Sequence, residues 1–159
     1  FACNGILFNH ESPRRGANFV TNKVVKNSVR IALGLQKVLE VGNIHAYRDW
    51  GHAKDYVRAM NMIINYKKAD DWVVATGKAR SVGQMIDYVF KKLNLNKKEH
   101  LRINKKFFRP EELKYLQGDS SKTRKHLKWK PEYTFEEMLD EMVDFWFDFY
   151  KKDHDLKSF

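Results

Sequence analysis

Three observations predict an α/β architecture that is one part of a larger fold. Short apolar runs alternate along the chain with stretches of helical spacing. Two Ser/Thr-x-x-Gln/Glu boxes open the clearest of those stretches, and the strands are too few for a complete doubly wound sheet. At 159 residues with 43% hydrophobic content, one ordinary core is expected and a second full-sized domain is not.

The elements follow in order. Ala2 to Phe8 reads as a short buried strand containing Ile6, Leu7 and Phe8, and the polar run Asn9 to Gly16, rich in breaker residues, reads as a turn. From about Phe19 to Leu33 the spacing of Val25, Val29, Ala32 and Leu33 is helical, with Gly34 as the stop and Lys23, Lys26 and Arg30 on another face. Val38 to Val41 is a short strand ending at Gly42-Asn43. Arg48 to Gly51 is a compact extended segment or turn. A helix over Ala53 to Asn65 carries Tyr56, Ala59, Met60 and Ile63 on one stripe, and an apolar strand from Trp72 to Ala75 follows until Gly77 breaks the pattern.

Ser81 with Gln84 forms the first capping box, opening an amphipathic helix through Val82, Met85, Ile86, Val89, Phe90 and Leu93. Leu101 to Ile103 is a brief strand. Phe107 to Glu112 is a loop, because proline restricts the residue before it. Asp119 caps a short helix through Leu127, ended by Trp129-Lys130-Pro131. Thr134 with Glu137 forms the second box, which opens a long helix with Phe135, Met138, Leu139, Met142, Val143, Trp146 and Phe149 as its core stripe. From Lys151 onward the chain is polar and reads as a frayed tail.

Composition narrows the function classes. No apolar run reaches the roughly 20 residues of a membrane span, and the start at Phe1 suggests a piece of a longer chain. A single cysteine, Cys3, excludes an internal disulfide and a cysteine-built metal site, with the cytoplasm as the default compartment. His10, His45, His52, His100, His126 and His154 lack the paired spacing that suits zinc, so no metal is expected. The net charge of +10 favours an anionic partner, either nucleic acid or a phosphorylated small molecule. Most aromatics follow buried periodicity and the lysines come as scattered pairs, which argues against a nucleic-acid surface.

Catalytic motifs are missing. No glycine-rich turn is present to cradle a pyrophosphate, and Gly77-Lys78 lacks the upstream glycine of a P-loop. Tyr88 and Lys92, four apart on a helix, match the spacing of a proton-transfer pair, but Lys92 belongs to a lysine pair suited to solvent and the match reads as accidental.

Three predicted loops carry phosphate- and sugar-binding chemistry: Asn9 to Arg15, Arg48 to Trp50, and Arg109 to Glu112. Arginine pairs with phosphate at two points, and a carboxylate such as Glu112 accepts from ribose hydroxyls while repelling phosphate. Arg48 and Arg109 with Glu112 therefore suit a nucleoside diphosphate. Taken singly, each has a plainer reading: Arg48-Asp49 as a local ion pair, residues 109–112 as a solvated turn, and Lys23 as an exposed helix lysine.

The run Asn4 to Gly16, followed by Phe19-Val20-Thr21 and Lys23, resembles the post-catalytic segment of GDP-mannose 4,6-dehydratases, which are extended short-chain dehydrogenase/reductases. The likeness continues through Gly42-Asn43, Arg48 to Val57, Ala75-Thr76-Gly77, Phe108 to Glu112, Leu116 to Asp119 and Trp129-Lys130-Pro131, covering residues 1 to about 150. The resemblance implies the last strand of a Rossmann-type sheet with its loop over residues 1–16, a smaller α/β sugar-nucleotide domain over 17–150, and a tail over 151–159. It implies that Asn9, Val20, Lys23, Arg48, Arg109 and Glu112 line a GDP-mannose site, with Asn43 near guanine, and that Leu7, His10 and Arg15 touch NADP. The helix start after Asn18 would offer its positive dipole end to the diphosphate.

The activity implied is conversion of GDP-mannose to GDP-4-keto-6-deoxymannose, with the catalytic residues upstream of Phe1, so this chain alone is not expected to turn over. A dimer or tetramer is implied for the whole enzyme. Departures are Asn22 where an arginine is common, Tyr47 where a lysine is usual, and a lysine-rich stretch after Leu93. The alternatives are a related GDP-sugar epimerase or reductase, or a basic nucleic-acid-binding module whose binding would fall steeply with salt.

Overall fold

A computed structural model describes residues 1–109 and 111–155. The chain opens with β1 (Asn4–Leu7) and β2 (Asn9–Glu11), then α1 (Val20–Ala32), β3 (Leu39–Val41), β4 (Tyr47–His52), α2 (Ala53–Ile64), β5 (Asp71–Val74), β6 (Ala79–Ser81) and α3 (Val82–Lys92). It continues with α4 (Lys97–His100), β7 (Leu101–Ile103), a single 3-10 turn at Lys105–Phe107, β8 (Tyr115–Leu116), α5 (Ser121–Leu127) and α6 (Phe135–Asp155). The α/β class is borne out.

The strands form three small sheets. β1 lies parallel to β5, with α2 as the crossover packed on both strands. The chain thus returns beside β1 at residues 71–74, inside the span that the sequence reading gives to the second domain. β4 is the hub of a second sheet: Trp50–His52 pair in parallel with β2, while Tyr47–Asp49 pair antiparallel with β6, and Tyr47 and Arg48 also pair in parallel with β8. β3 and β7 form a parallel pair of their own.

The helix ends follow their sequence signals. α1 stops in a Schellman turn: Gly34 N–H donates to Ile31 O at 3.0 Å and Leu35 N–H to Arg30 O at 2.8 Å, and Gly34 supplies the required φ of +73°. Asn94 ends α3 the same way at φ +53°. Both capping boxes form, Ser81–Gln84 on α3 and Thr134–Glu137 on α6. Asp119 accepts from Ser121 N–H at 2.8 Å, but the N-cap position of α5 is Ser120.

Two apolar clusters hold the molecule together. The larger joins α1, α3 and α6 through Val24, Val25, Val29, Met85, Ile86, Val89, Met138, Leu139 and Met142. The smaller gathers Tyr56, Ala59 and Ile63 of α2 with Trp72 and Val74 of β5 and with Leu127 and Trp129.

Several expectations need correction. β1 is not buried: Ile6 is 52% exposed, because pleating turns it away from α2 and no described element covers that face. The segment read as a turn after Phe8 contains β2, whose three residues are extended by pairing with β4 rather than by any pattern of their own. β6, β8 and α4 were not expected. Met60 sits beside the buried row of α2 rather than in it, and on α6 that row passes from Trp146 to Tyr150, leaving Phe149 half exposed at its edge. α6 runs on to Asp155, into the stretch read as a tail; the remainder of that stretch, residues 156–159, lies outside the described residues. No helix among the described residues is long and apolar enough to cross a membrane.

Candidate functional site

A cavity of about 370 Å³ opens where β2, the start of α1, the end of β3, β4, the start of α3 and the 105–112 segment meet. Its size falls in the range of small-molecule pockets. Asn9, Val20, Lys23, Asn43, Arg48, Arg109 and Glu112 all line it, so the structure brings together in one place the seven residues assigned to sugar-nucleotide binding.

Each side chain is delivered by simple geometry. Along β4, alternation turns Arg48 and Trp50 to the cavity and Asp49 to the opposite side. Val20 and Lys23, three apart in the first turn of α1, share a face. That helix presents its N-terminal end to the cavity with no acidic residue in its first turn, so its unpaired N–H groups and dipole favour an anion there.

The rim is a polar network. Arg48 donates from Nη1 to the carbonyls of Tyr47 and Leu113, both at 2.7 Å, and from Nη2 to Glu112 Oε1 at 3.4 Å. Asn43 Nδ2 donates to Glu112 Oε2 at 3.0 Å. The half-buried Glu112 therefore ties the 105–112 segment to the turn after β3 and to β4, and is no solvated turn residue. Lys23 is half-buried as well, its ammonium 3.7 Å from the centre of the Phe107 ring. Burial lowers the Lys23 pKa, with Lys106 adding to the effect and Glu40 opposing it. A cation so placed gains from an incoming anion.

Gly42 sets how closely the segment approaches. A Cβ there would lie 2.6 Å from the Phe107 carbonyl oxygen, which only glycine permits. Asn104 N–H donates to Val41 O at 2.8 Å just beyond, anchoring the same crossing.

Asp49 does not pair with Arg48. Its carboxylate, wholly buried, accepts from Thr76 N–H and hydroxyl, from Gly77 N–H and from Gly118 N–H at 2.5–3.2 Å. It thereby fastens the turn after β5 and the segment after β8 to the back of the strand that carries Arg48.

Leu7, His10 and Arg15 do not line the cavity. Leu7 packs on the smaller apolar cluster at the end of β1. His10, on the side of β2 opposite Asn9, stacks on Tyr56 with ring centres 4.8 Å apart, and its Nδ1 lies 2.8 Å from Phe8 O. The Arg15 guanidinium lies over the Phe19 ring at 3.4 Å, with Nε 3.0 Å from Glu11 Oε2, an ion pair whose N–H is not aligned as a hydrogen bond.

Sequence reasoning missed several lining residues, among them Phe107, Ala46 and Val82, which nothing in the sequence marks; Trp50 fell inside the Arg48 to Trp50 loop without a role of its own, although alternation from Arg48 turns it to the same side. Tyr88 and Lys92 both contact Asp140 of α6, the hydroxyl at 2.9 Å and the ammonium at 2.9 Å, and so join two helices. Among the described residues, no cluster of three His, Cys, Asp or Glu side chains could hold a metal ion.

A family model described as GDP-mannose 4,6 dehydratase matches residues 1–142. GDP-mannose 4,6 dehydratase 1 of Arabidopsis thaliana is 51% identical over 144 residues, covering 91% of this chain and 40% of that protein. The Homo sapiens GDP-mannose 4,6 dehydratase is 43% identical over 162 residues, covering 90% of this chain and 43% of that protein. The chain thus spans about 40% of the length of the curated relatives it matches. Among solved structures, RMD from Pseudomonas aeruginosa complexed with NADPH superposes with a TM-score of 0.83 at 23% identity, covering 91% of this chain and 48% of that one. The dTDP-glucose 4,6-dehydratase of Bacillus anthracis in complex with NAD gives 0.77 at 19% identity, covering 93% and 45%. At these identities the structural likenesses establish the fold.

Proposed function

The chain belongs to the GDP-mannose 4,6-dehydratase family, and from that premise we propose that it forms the sugar-nucleotide-binding part of an enzyme converting GDP-mannose to GDP-4-keto-6-deoxymannose and water. The observation that carries the proposal is the convergence of Asn9, Val20, Lys23, Asn43, Arg48, Arg109 and Glu112, from separate segments, on one cavity.

In this reading Lys23, Arg48, Arg109 and the start of α1 receive the diphosphate. Glu112, already oriented by Asn43 and Arg48, accepts from ribose hydroxyls, and Asn43 lies toward guanine. Leu7, His10 and Arg15 lie on the cofactor side. What supports the cofactor side is Arg15, whose guanidinium is held between Glu11 and the Phe19 ring, and a cation so held suits a cofactor phosphate. When bound, the nicotinamide supplies hydride acceptance and return, so the dehydration is redox-neutral overall. The groups that move protons lie upstream in the complete enzyme, and this chain alone binds without turning over. The complete enzyme works as a dimer or tetramer in the cytoplasm.

Calorimetry with GDP-mannose on the complete protein tests the site. Removing either phosphate-facing cation, Arg48→Ala or Arg109→Ala, weakens binding roughly tenfold or more, the loss expected of a charge-assisted hydrogen bond. Unchanged affinity in both variants refutes the assignment. Chromatography of the reaction product separates a dehydratase from an epimerase or reductase on the same substrate.

A further inference from the structure

The last residue of β2 is not explained by the cavity that Asn9 lines. Glu11 is 1% exposed, an unusual place for a carboxylate, and it points to the same side as Asn9 without lining the cavity. Its Oε2 accepts from the Thr21 hydroxyl at 2.5 Å and lies 3.0 Å from Arg15 Nε. Thr21 belongs to the first turn of α1, between Val20 and Lys23 of the cavity. One buried carboxylate therefore touches the helix turn that serves the sugar nucleotide and the guanidinium assigned to the cofactor.

The fold alone does not account for a charge here. Glutamine would accept the Thr21 hydrogen bond without the cost of burying an ion. Burial raises the Glu11 pKa above its ordinary value, against the Thr21 hydrogen bond and the Arg15 charge, so the ionised form works against folding at neutral pH. What only the carboxylate supplies is attraction for Arg15, whose face is already fixed on Phe19.

We propose that Glu11 is a positioning residue: it holds the Arg15 guanidinium for the cofactor and, separately through Thr21, braces the first turn of α1 beside the sugar nucleotide. This rests on the proposed function, which places Arg15 at NADP and Val20 and Lys23 at GDP-mannose.

The test is calorimetric titration of the complete protein with NADP and, separately, with GDP-mannose, in wild type, Glu11→Gln, Arg15→Gln, the double variant, and Thr21→Val. Glu11→Gln is expected to weaken NADP about tenfold and to change GDP-mannose by less than about twofold, since it keeps the Thr21 contact and loses the charge. The double variant is expected to bind NADP no worse than Arg15→Gln, because the two residues act as one unit. Thr21→Val should weaken GDP-mannose several-fold with NADP nearly unchanged. Should Glu11→Gln fail to fold, Glu11→Asp, which keeps the charge but withdraws it from Arg15, is expected to weaken NADP several-fold, and unchanged NADP affinity overturns the proposal.

Parallel loss of both ligands in Glu11→Gln marks a merely structural role and overturns the proposal, as does additivity in the double variant or unchanged NADP affinity. A wild-type protein that binds neither ligand overturns the proposed function itself. A wild type that binds both, with Glu11→Gln indistinguishable from it, overturns only the positioning role.

Discussion

The α1/α3/α6 core and the β1–α2–β5 unit are each built on an amphipathic helix stripe, yet they end up differently. In the first, Val25, Val29, Met85, Val89, Leu139 and Met142 are wholly buried against one another. In the second, Tyr56 and Ala59 are as deeply buried on one side of α2, while Val57 and Ile64 stand 62% and 69% exposed on another, and Ile6 lies bare across the sheet. The first region buries its stripe within the chain, apart from Phe145 and Phe149 left half exposed toward the end of α6, and the second keeps part of both α2 and β1 open. Stability therefore concentrates in the helical region, which also supplies the start of α1 to the cavity.

The largest expected effect tests that contrast directly. Leu139→Ala in α6 should cost about 2–5 kcal/mol by urea unfolding, from lost burial plus the cavity left behind. Ile64→Ala on the open side of α2 should stay within about 0.5 kcal/mol. Equal losses would erase the distinction between the regions.

A paired glycine experiment sharpens it. Gly42→Ala, whose Cβ would press on the Phe107 carbonyl, should destabilise by about 1–3 kcal/mol and weaken GDP-mannose binding in the complete protein. Gly5→Ala in β1 meets nothing nearer than Leu7 Cδ2 at 3.5 Å and should be neutral or stabilising by about 0.5 kcal/mol, because alanine restricts the unfolded chain. Thermal melts of the two variants, read side by side, give the answer.

The smallest effect lies at the seam between the regions. His52, at the end of β4, accepts from Lys54 N–H through Nδ1, which leaves Nε2 to donate to Glu141 Oε2 of α6 at 2.6 Å. Burial raises the Glu141 pKa, but the hydrogen bonds from His52 and Lys54 outweigh it and hold the carboxyl below its ordinary 4.5. A depressed carboxyl stabilises fully above its unfolded pKa, and that contribution fades as pH falls through the folded value. Stability of the wild type measured from neutral pH down past 4.5 should fall more steeply than that of Glu141→Gln. Parallel curves would remove Glu141 from the seam.

The contrast between regions also governs what could be read in advance. α1, α3 and α6 were legible because each has a long stripe and a defined end: Gly34 after α1, Ser81 with Gln84 before α3, Thr134 with Glu137 before α6. β2 and β6 were not, because Asn-His-Glu and Ala-Arg-Ser lack the apolar residues that marked the equally short β3 and β7, and the two-residue β8 offers no pattern at all; all three exist through pairing with β4. In the site, Lys23, Arg48, Arg109 and Glu112 were visible by residue type and by family likeness. Glu11 and Asp49 were not, since a carboxylate that ends up buried looks in sequence like any surface acid; only the arrival of Thr21 and Arg15, or of Thr76, Gly77 and Gly118, reveals its place.

The meeting of Gly42 with the Phe107 carbonyl bears on redesign. Because glycine already brings peptide close to peptide there, no substitution at position 42 can narrow the approach further or widen it without strain. Trimming neighbouring residues would leave the gap unchanged, whereas lengthening the 104–112 segment by a residue or two would relax it. Libraries aimed at admitting bulkier ligands should therefore vary loop length before they vary amino-acid identity.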